Sequence, residues 1–174
     1  MIPTTTPSMK ITALLLLTAL CLHAQETKKE SAPATESAKP TTAAVTAEME
    51  AKFKAALTNA VMDGRFCTVA DGKLGPDKED KYTIAGVEKT GDGQWTINAK
   101  IEYGATNFTA PVPVQVKWAG DTPVIIVDNV GFPGTPKYSA RVMIYGDTYS
   151  GTWSAGDHGG LMHGVLRKAE EKTK

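Results

Sequence analysis

Cysteine is scarce in this chain: its 174 residues hold two, and Cys21 lies inside an N-terminal apolar stretch. Once that stretch is removed Cys67 stands alone, so no internal disulfide can staple the fold and an apolar core must hold it. An excess of charge is missing too, since 19 Lys+Arg offset 19 Asp+Glu and no basic block is longer than the pair Lys28 and Lys29. Without a basic surface the electrostatic term behind most nucleic-acid affinity is lost, which removes DNA and RNA from the expected partners. Long apolar runs are absent as well. The longest stretch, residues 11–22, is about a dozen residues, against the roughly 20 that a membrane-spanning helix needs. Nor is there a G-x-S-x-G elbow, a Walker A loop or a dinucleotide fingerprint, so the common hydrolase, phosphate-loop and NAD chemistries have no anchor here. No cofactor is expected.

What is present begins with a targeting signal. Lys10 precedes residues 11–22, and Leu22-His23-Ala24 ends the stretch on a small residue, the order of a secretory signal peptide over residues 1–24 with cleavage after Ala24. The mature protein is therefore expected outside the cytoplasm, in a periplasm or the medium. Residues 2–7 add no positive charge, which makes Met9 an alternative start. Leu20 stands before Cys21 where a lipobox needs a small residue, an argument against a lipid anchor. Residues 25–44 are Ala, Thr, Ser, Pro, Lys and Glu with almost no large apolar side chain, a composition that cannot offset ordering entropy and reads as a tether. The charged residues 169–174 read as a frayed tail.

Between these lies a domain with two periods. Val45, Met49, Phe53, Ala56, Leu57, Ala60 and Val61 recur at spacings of three and four, which predicts a helix over 45–64, capped by Thr46 and ended by Gly64. Its other face carries Glu48, Glu50, Lys52 and Lys54, too mixed in sign for a membrane-surface helix. Past Gly64 the period falls to two. In residues 94–103, Trp95, Ile97, Ala99, Ile101 and Tyr103 share one face and polar residues the other, the signature of a half-buried strand. Residues 81–89 form a strand with a bulge at Gly86, joined to the next by the hairpin link Thr90-Gly91-Asp92-Gly93. Residues 65–70, 108–118, 123–128, 138–144, 148–155 and 161–167 bring the count to about eight. Pro111 and Pro113 would each delete a ladder donor and place the start of their strand at an edge or a bulge. Short links favour a mainly β fold, an antiparallel meander over 65–168. Eight strands suffice to close a lipocalin-like barrel around side chains or one small ligand.

The strings Trp118-Ala119-Gly120-Asp121-Thr122-Pro123, Tyr138-Ser139-Ala140-Arg141-Val142 and Gly151-Thr152-Trp153 resemble an uncharacterised family of small exported bacterial β-proteins, a likeness that implies fold and export and carries no activity with it. Gly151-Thr152-Trp153 is also similar to the G-x-W of lipocalins and avidins, although there it belongs to the first strand, so this is an analogy of architecture.

The candidate ligand contacts are Trp95, Trp118 and Trp153, which stack or fill the core, with Arg141 or Tyr145 as a polar contact near the barrel mouth. Two arrangements are open for Arg141. If Tyr138, Ala140, Val142 and Ile144 face the core, Arg141 is an exposed strand residue; with the faces reversed it enters the barrel and needs an anion. Small Ala99, Ala140 and Gly151 beside Trp95 and Trp153 leave a cavity or fill a tapered core. Asp157, His158 and His163 have metal-ligand chemistry, but in a regular strand 158 and 163 point to opposite faces. Asp71, Asp77, Glu79 and Asp80 lack the ligand alternation of a calcium loop. Cys67 has no base near it in sequence and reads as a small buried hydrophobe. The function these features favour is non-catalytic binding of a small apolar molecule, ahead of an envelope scaffold and, third, an exported enzyme.

Overall fold

The computed structural model describes residues 42–132 and 134–170. The expected signal peptide, the tether up to residue 41 and residues 171–174 of the tail lie outside them. Among the described residues no helix is long and apolar enough to cross a membrane.

The helix α1 (Thr42–Leu57) corrects the expected span of 45–64 at both ends. Residues 42–44, read as tether, are helical. Thr46 lies within the helix, where its Oγ1 donates to the Thr42 carbonyl at 2.9 Å instead of capping. The helix stops because Asn59 takes the left-handed conformation, φ 53°, a common way to end a helix. Ala60 to Gly64 then open the first strand. Ala60, Val61 and Met62 are all buried, so both faces of that strand are apolar, and such a run extends a helical spacing as readily as it marks a strand.

Nine strands follow: β1 (Ala60–Ala70), β2 (Lys73–Leu74), β3 (Lys78–Gly91), β4 (Gln94–Tyr103), β5 (Thr106–Ala119), β6 (Thr122–Val130), β7 (Tyr138–Tyr145), β8 (Thr148–Ala155) and β9 (His158–Lys168). The two-residue β2 pairs only with the end of β1. The other eight form an antiparallel meander, and β1 pairs with both β3 and β9, which closes the barrel. The fold is mainly β, as the alternation predicts. The bulge expected at Gly86 is there, with Ala85 as the extra residue between Ile84 and Gly86. The edge expected at Pro111 and Pro113 is there also. Residues 106–114 of β5 pair with β4, while pairing to β6 is confined to Gln115 through Ala119. The two prolines sit in the stretch where β5 and β6 part, so their missing N–H groups leave no ladder bond unmade.

One end of the barrel is closed by α1. Phe53 and Leu57 are its buried residues, and the Phe53 ring meets Trp95 at 5.2 Å and Trp118 at 6.3 Å, edge to face in both cases. Glu50 pairs with Lys89 of β3 at 2.7 Å. The end of β9 clamps the helix terminus: Lys168 Nζ donates to the carbonyls of Ala55, Ala56 and Thr58, a cation where the helix dipole is negative. Ala169 N–H donates to the Asn59 carbonyl at 2.8 Å, so residue 169, expected in the tail, is tied to the turn after α1.

Candidate functional site

Closure of the sheet decides which face of each strand looks inward. Ala140, Val142 and Ile144 turn into the barrel, and Arg141 looks out. There Arg141 donates to the carbonyls of Val127 at 2.7 Å and Ala140 at 2.9 Å and stands 3.7 Å from the Asp128 carboxylate. These contacts fasten the irregular end of β6, where the register shifts between Val127 and Val130. Tyr145 is 71% exposed on the same outer face. Neither residue reaches the interior, which corrects their expected place at a ligand. Trp95 and Trp118 are corrected as well, because both pack on Phe53 at the plugged end. Of the five candidates, Trp153 alone borders the cavity.

That cavity has a volume of about 180 Å³. Its walls are mainly apolar: Met62, Ile84, Ile97, Ala99, Ile101, Val114, Ile125, Val127, Ala140, Val142 and Met162, with Phe108 and Phe132 in tilted contact at 5.1 Å on one side. Small Ala99 and Ala140 make the space, since a Leu at either position would occupy it. Toward the end opposite α1 a second space of about 160 Å³ adjoins the cavity. Tyr82, Tyr103, Tyr138, Trp153 and Met162 border both, and Phe66, Asp80 and His158 complete the outer one.

The polar groups cluster in this outer space. Asp80 is 3% exposed; its Oδ2 accepts from Tyr82 at 3.1 Å and its Oδ1 from Tyr149 at 3.3 Å. Burial raises the Asp80 carboxyl above its ordinary range, and the two phenol donors oppose that rise. Burial, then the neighbouring carboxylate, raises both phenols. Tyr103 and Tyr138 share a hydroxyl contact of 2.7 Å, and burial followed by that bond pushes Tyr138 up to about 12. The Trp153 indole N–H is buried with no hydrogen-bond partner among the described residues, a costly state for a donor. His158 meets Trp153 edge-on at 5.5 Å, and its Nδ1 lies 3.1 Å from Asp157.

Tyr149 reaches Asp80 across three strand boundaries, and the sequence explains how. Tyr149 is opposite Gly164, Gly164 is opposite Gly64, and Gly64 is opposite Asp80. Two glycines side by side leave a trough in which the phenol ring lies flat over β9 and β1. A Cβ on Gly64 would stand 2.2 Å from Tyr149 Oη, and one on Gly164 would stand 2.7 Å from its ring. Gly64, expected to end the helix, is therefore the floor of this trough. Asp80, grouped by its neighbours with a loop of acids, is an inward barrel residue; the alternation Asp80, Tyr82, Ile84 carries that signal once the strand is begun three residues earlier at Lys78.

Among the described residues no three His, Cys, Asp or Glu side chains group as a metal site. β9 runs unbroken from His158 to Lys168, and His163 lies on its outer, exposed face. Cys67 is buried and free. No family model, curated protein or solved structure matched the chain.

Proposed function

We propose that the chain is an exported β-barrel protein that binds one small apolar molecule. The observation that carries this reading is the apolar cavity of about 180 Å³, plugged by α1 below and adjoined by the tyrosine-lined space above. An apolar cavity of roughly 150 Å³ suffices for benzene, so the inner space fits a single ring or a short branched chain. Binding without chemistry is favoured by the state of Asp80, whose two oxygens are both engaged by phenols. Export rests on Lys10 and the stretch to Ala24, and N-terminal sequencing of protein recovered from the cell envelope, with Gln25 or a close neighbour first, tests it.

The binding test is a thermal-shift and native mass-spectrometry screen with toluene, indole and hexanol. A ligand of the folded state at a hundred times its Kd adds about 2.7 kcal/mol of apparent stability. A shift that disappears in Ala140→Leu, which fills the cavity, is the expected result. If no probe shifts the melt or adds mass, the barrel is better read as an envelope scaffold.

A further inference from the structure

We propose that the outer space is an aromatic cage for a compact cation, so that the ligand carries a substituted or quaternary ammonium head on an apolar tail. The proposal rests on the apolar cavity being a ligand site and names the chemistry of its other half.

Three features converge. The first is the wall itself. Phe66 meets Trp153 at 5.7 Å and Tyr103 at 6.3 Å, with interplanar angles of 82° and 85°, so the rings stand as adjoining panels and not as a stack. Tyr82 and Tyr138 add two more. All five of these rings line the one outer space, and a cation within about 6 Å of several centroids is attracted by each ring whose face it meets. The second is charge. Asp80 lines the same space, and among the described residues no Lys or Arg lines either compartment. A buried carboxylate with no Lys or Arg beside it among the described residues makes this a place of negative potential, where an anionic head is repelled and a cationic one is drawn. The third is adjacency. Tyr82, Tyr103, Tyr138 and Trp153 border both spaces, so a head held among them sits directly beside the apolar cavity, with only these side chains between.

The substituents distinguish this cation from a metal ion or ammonia. Phenyl and indole faces cannot replace the water of a small hard ion, but they suit methylated nitrogen, whose charge is spread over carbon. The competing occupant is a neutral molecule with an acceptor for the Trp153 indole N–H.

The test compares benzyltrimethylammonium with its uncharged isostere neopentylbenzene, titrated against the full-length protein by thermal shift and ligand-observed NMR. The cation is expected to bind at least about tenfold tighter, as one desolvated cation–π contact would give. Asp80→Asn keeps an oxygen acceptor for one phenol, offers the other phenol's oxygen an N–H donor, and removes the charge, and it should shrink the preference. Phe66→Leu, which touches no hydrogen bond at Asp80, should do the same and stands in where Asp80→Asn fails to fold. Equal or tighter binding of neopentylbenzene, or a preference unchanged in the folded variants, overturns the cage and leaves the apolar reading standing. If neither compound binds, both readings fall.

Discussion

Gly64→Ala tests the row that joins Tyr149 to Asp80, and its sign is informative. At an ordinary strand position Gly→Ala is expected to help by roughly 0.5–1 kcal/mol, because alanine has less backbone entropy to lose. Here the added carbon would lie 2.2 Å from Tyr149 Oη and 2.3 Å from the His163 carbonyl. The phenol can swing away, but the carbonyl belongs to the backbone of β9. Overpacking of this kind costs about 1–3 kcal/mol. Moving the phenol also breaks its bond to Asp80, and a buried acceptor that loses a donor costs about 1–3 kcal/mol more. The expected loss is thus about 2–6 kcal/mol, measured by urea unfolding followed through tryptophan fluorescence. Gly86→Ala is the control, since a carbon there meets nothing within 4 Å, and it should be neutral or stabilising. Combining Gly64→Ala with Tyr149→Phe should recover part of the loss, a coupling between neighbours. If Gly64→Ala lies within about 1 kcal/mol of Gly86→Ala, the glycine trough does not carry Tyr149 and the reasoning is wrong.

Four other outcomes follow from the same geometry. Burial raises Asp80 above its ordinary 3.8, so folding favours the protonated form; this contribution is complete below about 3.8 and is lost as pH rises through the folded value. The groups that act on it are Tyr82 and Tyr149 as donors and His163 and Asp63 through space, with His158 at the mouth. Asp80→Asn should therefore gain stability relative to the parent as pH rises toward 7 in parallel urea titrations, and a deficit that grows with pH would reverse the assignment. Phe53→Ala removes the plug from between Trp95 and Trp118 and should cost roughly 3–5 kcal/mol, with a red shift in tryptophan emission. Ala140→Leu should leave the fold intact by circular dichroism while abolishing the apolar-probe shift; retained binding would place the ligand elsewhere. Arg141→Ala, on the outer face, should cost no more than about 1 kcal/mol and leave probe affinity unchanged.

Much of the barrel was legible because its signals are local. The alternation of Trp95 through Tyr103 is set by the pleat of a single strand, and the hairpin links carry their own turn chemistry, so eight barrel strands in meander order can be counted from the chain. Two things were not local. Whether Arg141 or its neighbours face inward depends on how the sheet closes, and alternation states only that the two faces differ. The start of β1 is buried on both sides, so Ala60, Val61 and Met62 carried no alternation and were drawn into the helical spacing. The candidate site suffered from the same gap. Trp153 is identifiable from its residue type, but Asp80, Tyr82, Tyr103 and Tyr138 come from three strands and share one space only through the register.

The composition of that space bears on what the barrel is for. A barrel whose interior serves only to be stable gains from filling it, and counted as a void the inner cavity of about 180 Å³ forgoes roughly 4 kcal/mol. Asp80 adds to the cost, for a well-packed apolar residue avoids the desolvation that a buried carboxylate must offset with two phenols. The glycines that admit Tyr149 surrender side-chain packing on β1 and β9 for the sake of one of those bonds. The costs are not scattered: Phe53 of α1 packs edge-to-face against Trp95 and Trp118 at the plugged end, while the cavity, the carboxylate and the Trp153 indole N–H that lacks a partner among the described residues all lie toward the other. An interior that is tight at one end and expensive at the other supports the proposed binding reading over a scaffold, which would gain stability by filling the space.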